Sequence, residues 1–255
     1  MSDELSTAGP PQGARAPSGG SAARAAASVG AIRIEALIFD MDGTMVDSMP
    51  SHTESWQMLA QRHGIAVDLP ELMRRTTGRT GLECIRILFE RDMPDAEALA
   101  YVHEKEALYR EIFAPKFAEV QGFSAFAEAA RARGLHIGVG TAGDKHNVAF
   151  AYANLKLRPL PAVAVGGDEG LPGKPEPAIF LEVARRLGVD PAHCIVFEDA
   201  PLGIEAARRA GMRAVGICTG HTPEQLAGDH VLAHAKHFTE LTNNNFLEKH
   251  HVAKP

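Results

Sequence analysis

From residue 32 onward, short apolar runs alternate with longer stretches of helical period. The runs lie at 36–39, 136–140 around Ile137 and Val139, 162–165, 194–197 and 214–217. Runs this short and this continuously apolar fit strands buried on both faces, as parallel strands covered by helices are. Between them, 124–133, 145–155, 176–187 and 202–210 are each long enough for a crossover helix, and Gly134, Gly188 and Gly211 stand where helix C-caps are expected. The alternation predicts an α/β class with right-handed crossovers. No solenoid-type repeat is present.

The alternation is interrupted between residues 50 and 117. Ser51-His52-Thr53-Glu54 has the form of a capping box opening a helix with Trp56, Leu59 and Ala60. Leu82, Ile85 and Leu88-Phe89 recur at helical spacing, as do Leu99, Val102, Tyr109 and Phe113. An all-helical insert after the first strand is expected to form a small cap hinged over the sheet. The expected organisation is a disordered tail over 1–30, an α/β core from 31–48 and 118–240, a cap over 49–117, and a C-terminal tail over 241–255.

Composition narrows the function. The 255 residues are 45% hydrophobic and 23% charged, enough for one or two domains with a buried core. A formal charge of −6 supplies no cationic field for nucleic acid or anionic lipid. No run reaches the roughly 18 apolar residues that span a bilayer. Cys84, Cys194 and Cys218 lack CxxC spacing and read as core thiols in a reducing compartment, so a cytoplasmic location is expected. The Ala, Gly, Pro and Ser-rich start has no secretory h-region; its arginines leave a faint organelle-targeting alternative. Oligomeric state is not legible, and a monomer is compatible.

The chemistry gathers at the carboxyl ends of the expected strands, where open parallel sheets bind ligands. Asp40 and Asp42 follow the first run, Thr141 follows HIGVG, Lys174 lies in GLPGKPEP after the third, and Glu198-Asp199 follow CIVF. Two carboxylates about 4 Å apart repel by roughly 4 kcal/mol at an effective dielectric of 20. A divalent cation and a lysine relieve that cost. Oxygen donors without His or Cys point to Mg²⁺, and the lysine, the threonine hydroxyl and backbone N–H groups are anion binders. The set describes phosphoryl transfer. The histidines His234, His237, His250 and His251 have no carboxylate or cysteine arranged as a site.

Asp40-Met41-Asp42-Gly43-Thr44, then Thr141, then Lys174-Pro175, then Glu198-Asp199 resemble the haloacid dehalogenase superfamily, closest to the branch of β-phosphoglucomutase and sugar-phosphate phosphatases. The likeness runs from about residue 32 to about 240. It implies a Rossmann-like parallel sheet with a helical cap, and a small phosphorylated substrate. Asp40 is then the nucleophile and Asp42 the general acid and base. Thr141 and the Ala142 N–H hold the phosphoryl group, and Lys174 neutralises it. The metal falls to Asp40, the Asp42 carbonyl and Asp199, with Glu198 as ligand or support. Thr44 is expected to bond back to the loop beside the substrate. The resemblance also places His52 as a hinge histidine, with Trp56 at matching spacing, and Lys105, near Tyr109, as the cap lysine that reaches substrate.

One departure bears on the reaction. Where the mutase carries an arginine for its second phosphate, this chain has Gly81, and Arg79 would have to substitute from two residues earlier. A phosphatase is therefore expected ahead of a mutase. Two further rivals are a phosphoaspartate receiver module, against which the cap and Asp42 argue, and a true dehalogenase, which needs neither Mg²⁺ nor the acid at position 42.

Overall fold

The computed structural model describes residues 33–250. The expected tail over 1–30, its targeting alternative, and His251 lie outside the described residues. Six strands form one parallel sheet: β1 (Ala36–Phe39), β2 (His136–Gly140), β3 (Val163–Val165), β4 (Cys194–Glu198), β5 (Arg213–Ile217) and β6 (Val231–Ala235), in the order β3-β2-β1-β4-β5-β6. Because the chain builds outward from β1 to β3 and then returns to β4, the strand order reverses between β1 and β4. That is where open α/β sheets form their ligand crevice.

The unbroken apolar character of the strands follows from burial on both faces. In β1, Leu37 and Phe39 join one buried cluster, and Ala36 and Ile38 the other; in β4, Ile195 and Phe197 face the first, and Cys194 and Val196 the second. The first face is covered by α5 (Phe123–Ala132), α9 (Phe238–Asn243) and α10 (Phe246–His250), whose Phe123, Phe126, Phe238 and Phe246 pack around Phe39 and Phe197. The second is covered by α7 (Ala178–Leu187) and α8 (Pro201–Arg209). Gly138 of β2 lets α7 approach closely, since a Cβ there would stand 2.5 Å from Val183 Cγ1. The connection between β2 and β3 runs through α6 (Lys145–Asn154).

The insert after β1 is all-helical, as expected: α1 (Met49–Arg62), α2 (Leu69–Thr76), α3 (Gly81–Phe89) and α4 (Asp95–Phe113). Trp56, Leu59, Leu72, Ile85, Leu88, Val102 and Leu108 give it a buried cluster of its own. Tyr109, the residue after Leu108, and Phe113, one turn beyond it on α4, belong instead to the sheet's cluster. The last turns of α4 therefore tie the insert to the core.

Several details differ from expectation. The helix expected to open at Ser51 starts at Met49, with Ser48 as N-cap and Pro50 in the first turn; Ser48 Oγ is engaged by Asp42, and Glu54 pairs with Lys116, so no capping box forms there. A reciprocal box does form at α3, between Thr80 and Glu83. Leu99, placed in the apolar stripe of α4, is 43% exposed because the cap core lies on the opposite side. The core also reaches past residue 240: Phe246 and Leu247 of α10 are buried, which corrects the tail expected from 241 onward as far as residue 250. The missed strand β6 is an edge strand with a half-buried VLAHA sequence, too weakly apolar to announce itself. Among the described residues, no helix is long and apolar enough to cross a membrane.

Candidate active site

The crevice at the β1/β4 reversal holds a cavity of roughly 100 Å³. Its wall includes Asp40, Asp42, His52, Arg79, Lys105, Thr141, Ala142, Lys174, Glu198 and Asp199, so the sequence-derived residues converge there with one exception. Thr44 is fully buried outside this wall, and its hydroxyl has no hydrogen-bond partner. The turn explains this: the N–H groups of Thr44, Met45 and Val46 all return to the Met41 carbonyl, curling residue 44 inward. Thr44 is therefore removed from the substrate-binding set, and its bond back to the loop is made by the backbone N–H and not by the hydroxyl. The same turn requires Gly43, whose φ is 76° and where a Cβ would stand 2.2 Å from Asp199 Oδ2.

On the sheet side, Lys174 is 1% exposed and its ammonium lies 2.5 Å from Asp40 Oδ1. It also pairs with Glu198 Oε1 and sits over the Phe180 ring. Glu198 Oε2 accepts from the Ala200 N–H at 2.7 Å. Both Glu198 oxygens are thus engaged, and Glu198 stands behind Lys174 as its support. Gly203 makes room for this arrangement, because a Cβ there would lie 1.8 Å from Glu198 Oε1. Gly203→Ala is expected to push Glu198 off Lys174, lowering kcat at least tenfold or so and costing on the order of 1–3 kcal/mol by overpacking. Steady-state kinetics beside thermal unfolding checks this; unchanged values for both would remove Glu198 as the support.

Asp40, Glu198 and Asp199 place one carboxylate oxygen each within 4.8 Å of one another. At that separation two negative charges repel by about 3 kcal/mol even at an effective dielectric of 20. Burial, with Glu198 and Asp42 adding to it against the pull of Lys174, pushes Asp40 from 3.8 to about 8. Burial and the neighbouring acids raise Asp199 well above its usual range as well. Asp199 Oδ2 is buried without a hydrogen-bond partner. An orphaned carboxylate oxygen among crowded acids fits a hard divalent cation, and the all-oxygen donor set is the Mg²⁺ type.

The sign of the pH dependence follows from Asp40. Between pH 3.8 and about 8 the folded state retains a proton that the unfolded chain gives up, so metal-free stability falls as pH rises through that window. A cation that needs the deprotonated form stabilises more as pH rises. We expect added Mg²⁺ to raise Tm more at about pH 8 than at about pH 5.5. Equal increments in a thermal scan would contradict the assignment.

On the helical side, Asp42 Oδ1 accepts from two hydroxyls, Ser48 Oγ at 2.7 Å and Tyr109 OH at 3.2 Å, and His52 Nε2 lies 3.0 Å away as an ion-pair contact without hydrogen-bond alignment. Burial raises Asp42, but the His52 ring, the Ser48 hydroxyl and the Lys105 ammonium outweigh it and bring the carboxyl down to about 2. The His52 ring stacks on Tyr109 with centroids 3.8 Å apart, and its Nδ1 lies 2.5 Å from Lys105 Nζ. An ammonium only donates, so Nδ1 accepts and Nε2 carries the hydrogen, on the side of the ring nearest Asp42. Lys105 is 2% exposed, close to the Trp56 ring.

Thr141 Oγ1 accepts from the Gly143 N–H, which leaves its own hydrogen to donate toward the cavity. Arg79 borders the cavity, but its guanidinium donates to the Arg75 carbonyl and to Glu83 Oε1. A side chain at Gly81 would meet Val102 Cγ1 at 2.8 Å. The roles of Ser48, Glu106 and Asn147 at this site were missed from the sequence; only the neighbourhood of Lys105 could have pointed to Glu106.

Comparison with known proteins agrees with this geometry. The model of the haloacid dehalogenase-like hydrolase family matches residues 34–211. The chain is 33% identical over 211 residues to a validoxylamine A 7′-phosphate phosphatase of Streptomyces hygroscopicus subsp. limoneus, covering 80% of this chain and 94% of that protein. It is 32% identical to a fructose-1-phosphate phosphatase of Escherichia coli K12, covering 72% and 97%. A solved β-phosphoglucomutase from Clostridium difficile superposes with a TM-score of 0.74 at 25% identity, covering 85% of this chain and 97% of that one. The resemblance drawn from the four motifs is borne out.

Proposed function

The chain belongs to the haloacid dehalogenase-like hydrolases and is a phosphoric monoester hydrolase; from that premise we propose that it removes phosphate from a small phosphorylated sugar or polyol through an aspartyl-phosphate intermediate at Asp40. The observation that carries the reading is the division of labour between two aspartates on one turn. Asp40 faces the Lys174-bridged acid cluster, while Asp42 faces the hydrogen-bond donors of the helical layer. In the metal-free protein the raised carboxyl is Asp40 and the lowered one Asp42, so these roles need Mg²⁺ and Lys174 to keep Asp40 ionised and need Asp42 to enter the reaction carrying a proton.

Asp40 attacks phosphorus as the ester P–O bond breaks, and Asp42, having taken up a proton from solvent as the substrate binds, delivers it to the departing oxygen. Asp42 then takes a proton from water, which attacks phosphorus and frees Asp40 and inorganic phosphate. Lys174 and Thr141 hold the phosphoryl oxygens throughout. Asp40, the Asp42 carbonyl and Asp199 would hold Mg²⁺, which when bound neutralises the charge that attacker and phosphate share.

The helical layer, residues 49–117, acts in this reading as a cap closing over the sheet, with His52 and Lys105 orienting Asp42. The sugar class rests on the activities of the named relatives and on the polar cavity wall of His52, Lys105, Glu106 and Asn147. Hydrolysis is favoured over mutase chemistry because Arg79 is engaged by Glu83 and Val102 leaves Gly81 no room for a phosphate-binding side chain. Its three free cysteines suit the cytoplasm. Phosphate release across a sugar-phosphate panel, with and without chelator, tests the reading; interconversion of hexose phosphates without phosphate release would replace it with the mutase.

A further inference from the structure

Asn147 sits on the core helix α6, yet it is 1% exposed and both ends of its amide are taken by α4 of the helical layer. Its Nδ2 donates to Glu106 Oε2 at 2.6 Å, and its Oδ1 accepts from Arg110 Nη1 at 2.7 Å. The other oxygen of Glu106 accepts from Lys105 Nζ at 3.0 Å. Lys105 in turn donates to His52 Nδ1, and His52 Nε2 addresses Asp42. One unbroken chain of polar contacts therefore runs from the core surface, through the helical layer, to the acid–base carboxyl.

The chemistry of each link has a direction. Burial works against charge on Glu106, but Lys105, His52 and the Asn147 amide outweigh it and hold the carboxyl below its usual range. Glu106 is then the anion that keeps the Lys105 ammonium in place. Asn147 is suited to the far end because a primary amide offers a donor to Glu106 and an acceptor to Arg110 at once. An aspartate there would repel Glu106, and an alanine would leave a largely buried carboxylate and guanidinium short of a partner.

We propose that Asn147 is a positioning residue that reports closure of the helical layer on the core: its paired bonds to Glu106 and Arg110 complete the chain through Lys105 and His52 that places the proton at Asp42. The inference rests on the phosphatase reading. When the layer lifts, both bonds break together, Lys105 loses its aligned counter-charge, and the hydrogen on His52 is no longer fixed at Nε2, on the side nearest Asp42. Acid–base competence then exists only in the closed state.

The test exploits leaving groups. The first irreversible step, reported by kcat/KM, needs a proton from Asp42 when an alkoxide leaves, but hardly when p-nitrophenolate leaves. For Asn147→Ala, kcat/KM on a simple alkyl phosphate that has no sugar hydroxyls to be recognised is expected to fall about 100-fold, within the range of a lost general acid, against about threefold on p-nitrophenyl phosphate. Glu106→Gln, which keeps size and shape, is expected to show the same disparity and guards against a folding defect in the alanine variant. Equal losses on the two esters, in either variant that retains the wild-type thermal transition, would overturn the coupling and leave the phosphatase reading standing. Failure of the wild-type protein to release phosphate from either ester would overturn both.

Discussion

Asp40→Asn is expected to reduce phosphate release by on the order of 10⁴-fold or more, because Glu198 is committed to Lys174, Asp199 to the metal and Asp42 to proton transfer in this reading, leaving Asp40 as the attacking carboxylate. The folded protein should survive the change. Burial and the neighbouring acids push Asp40 up to about 8, so at neutral pH without metal the fold must take up a proton that the unfolded chain gives up, and Asp40 opposes folding despite its contact with Lys174. A neutral amide of the same shape removes that opposition. The metal-free variant is therefore expected to unfold at the same temperature as wild type or higher at about pH 8, while binding Mg²⁺ more weakly. Calorimetry beside a phosphate-release assay checks the pair of outcomes. Normal turnover would remove the nucleophile assignment, and a collapse of Tm would attribute the loss to misfolding.

Asp42→Asn is expected to act in the opposite sense on stability. Its pKa falls from 3.8 to about 2, so its charge stabilises the fold above the unfolded value, and that contribution is lost as pH drops toward 2. Replacing it should cost up to about 2 kcal/mol at neutral pH, less whatever the amide oxygen recovers from Ser48, His52 and Tyr109. Turnover of an alkyl phosphate is expected to fall by about 10²–10⁴, the usual contribution of a positioned acid–base group. The loss on an activated aryl ester should be smaller in kcat/KM, since p-nitrophenolate leaves without help. Parallel denaturant titrations and kinetics on the two esters read out both effects. A variant as stable as wild type with equal losses on both would mean that Asp42 neither carries its charge nor moves a proton.

What the sequence made legible, and what it did not, divides along a physical line. Strands buried on both faces carry their identity locally, so β1 and β2 fall where the apolar runs do, and the residues just past β1, β2 and β4 meet in the crevice because the topology brings strand ends together. β6 and α10 owe their existence to partners far along the chain: β6 pairs with β5, and Phe246 packs on Phe126 and Phe197. Thr44 shows the limit of reading a motif residue by residue, since a loop that returns three N–H groups to one carbonyl can bury the side chain beside the catalytic one. Arg79 shows another. Its charge is close enough to border the cavity, but Glu83 had already claimed it, a contact that the i,i+4 spacing of the two residues signals. The Asn147, Glu106 and Arg110 contacts join side chains 37 to 41 positions apart, across two helices with unrelated patterns. No period or motif encodes such a contact; only the packing of α4 on the core does.

The stereochemical course at phosphorus tests the central claim most directly. Hydrolysis of a chiral thiophosphate ester in isotopically labelled water reports whether phosphorus is displaced once or twice. Two in-line displacements, first by Asp40 and then by water, predict net retention of configuration. Inversion would mean that water attacks the substrate itself and that Asp40 never carries the phosphoryl group.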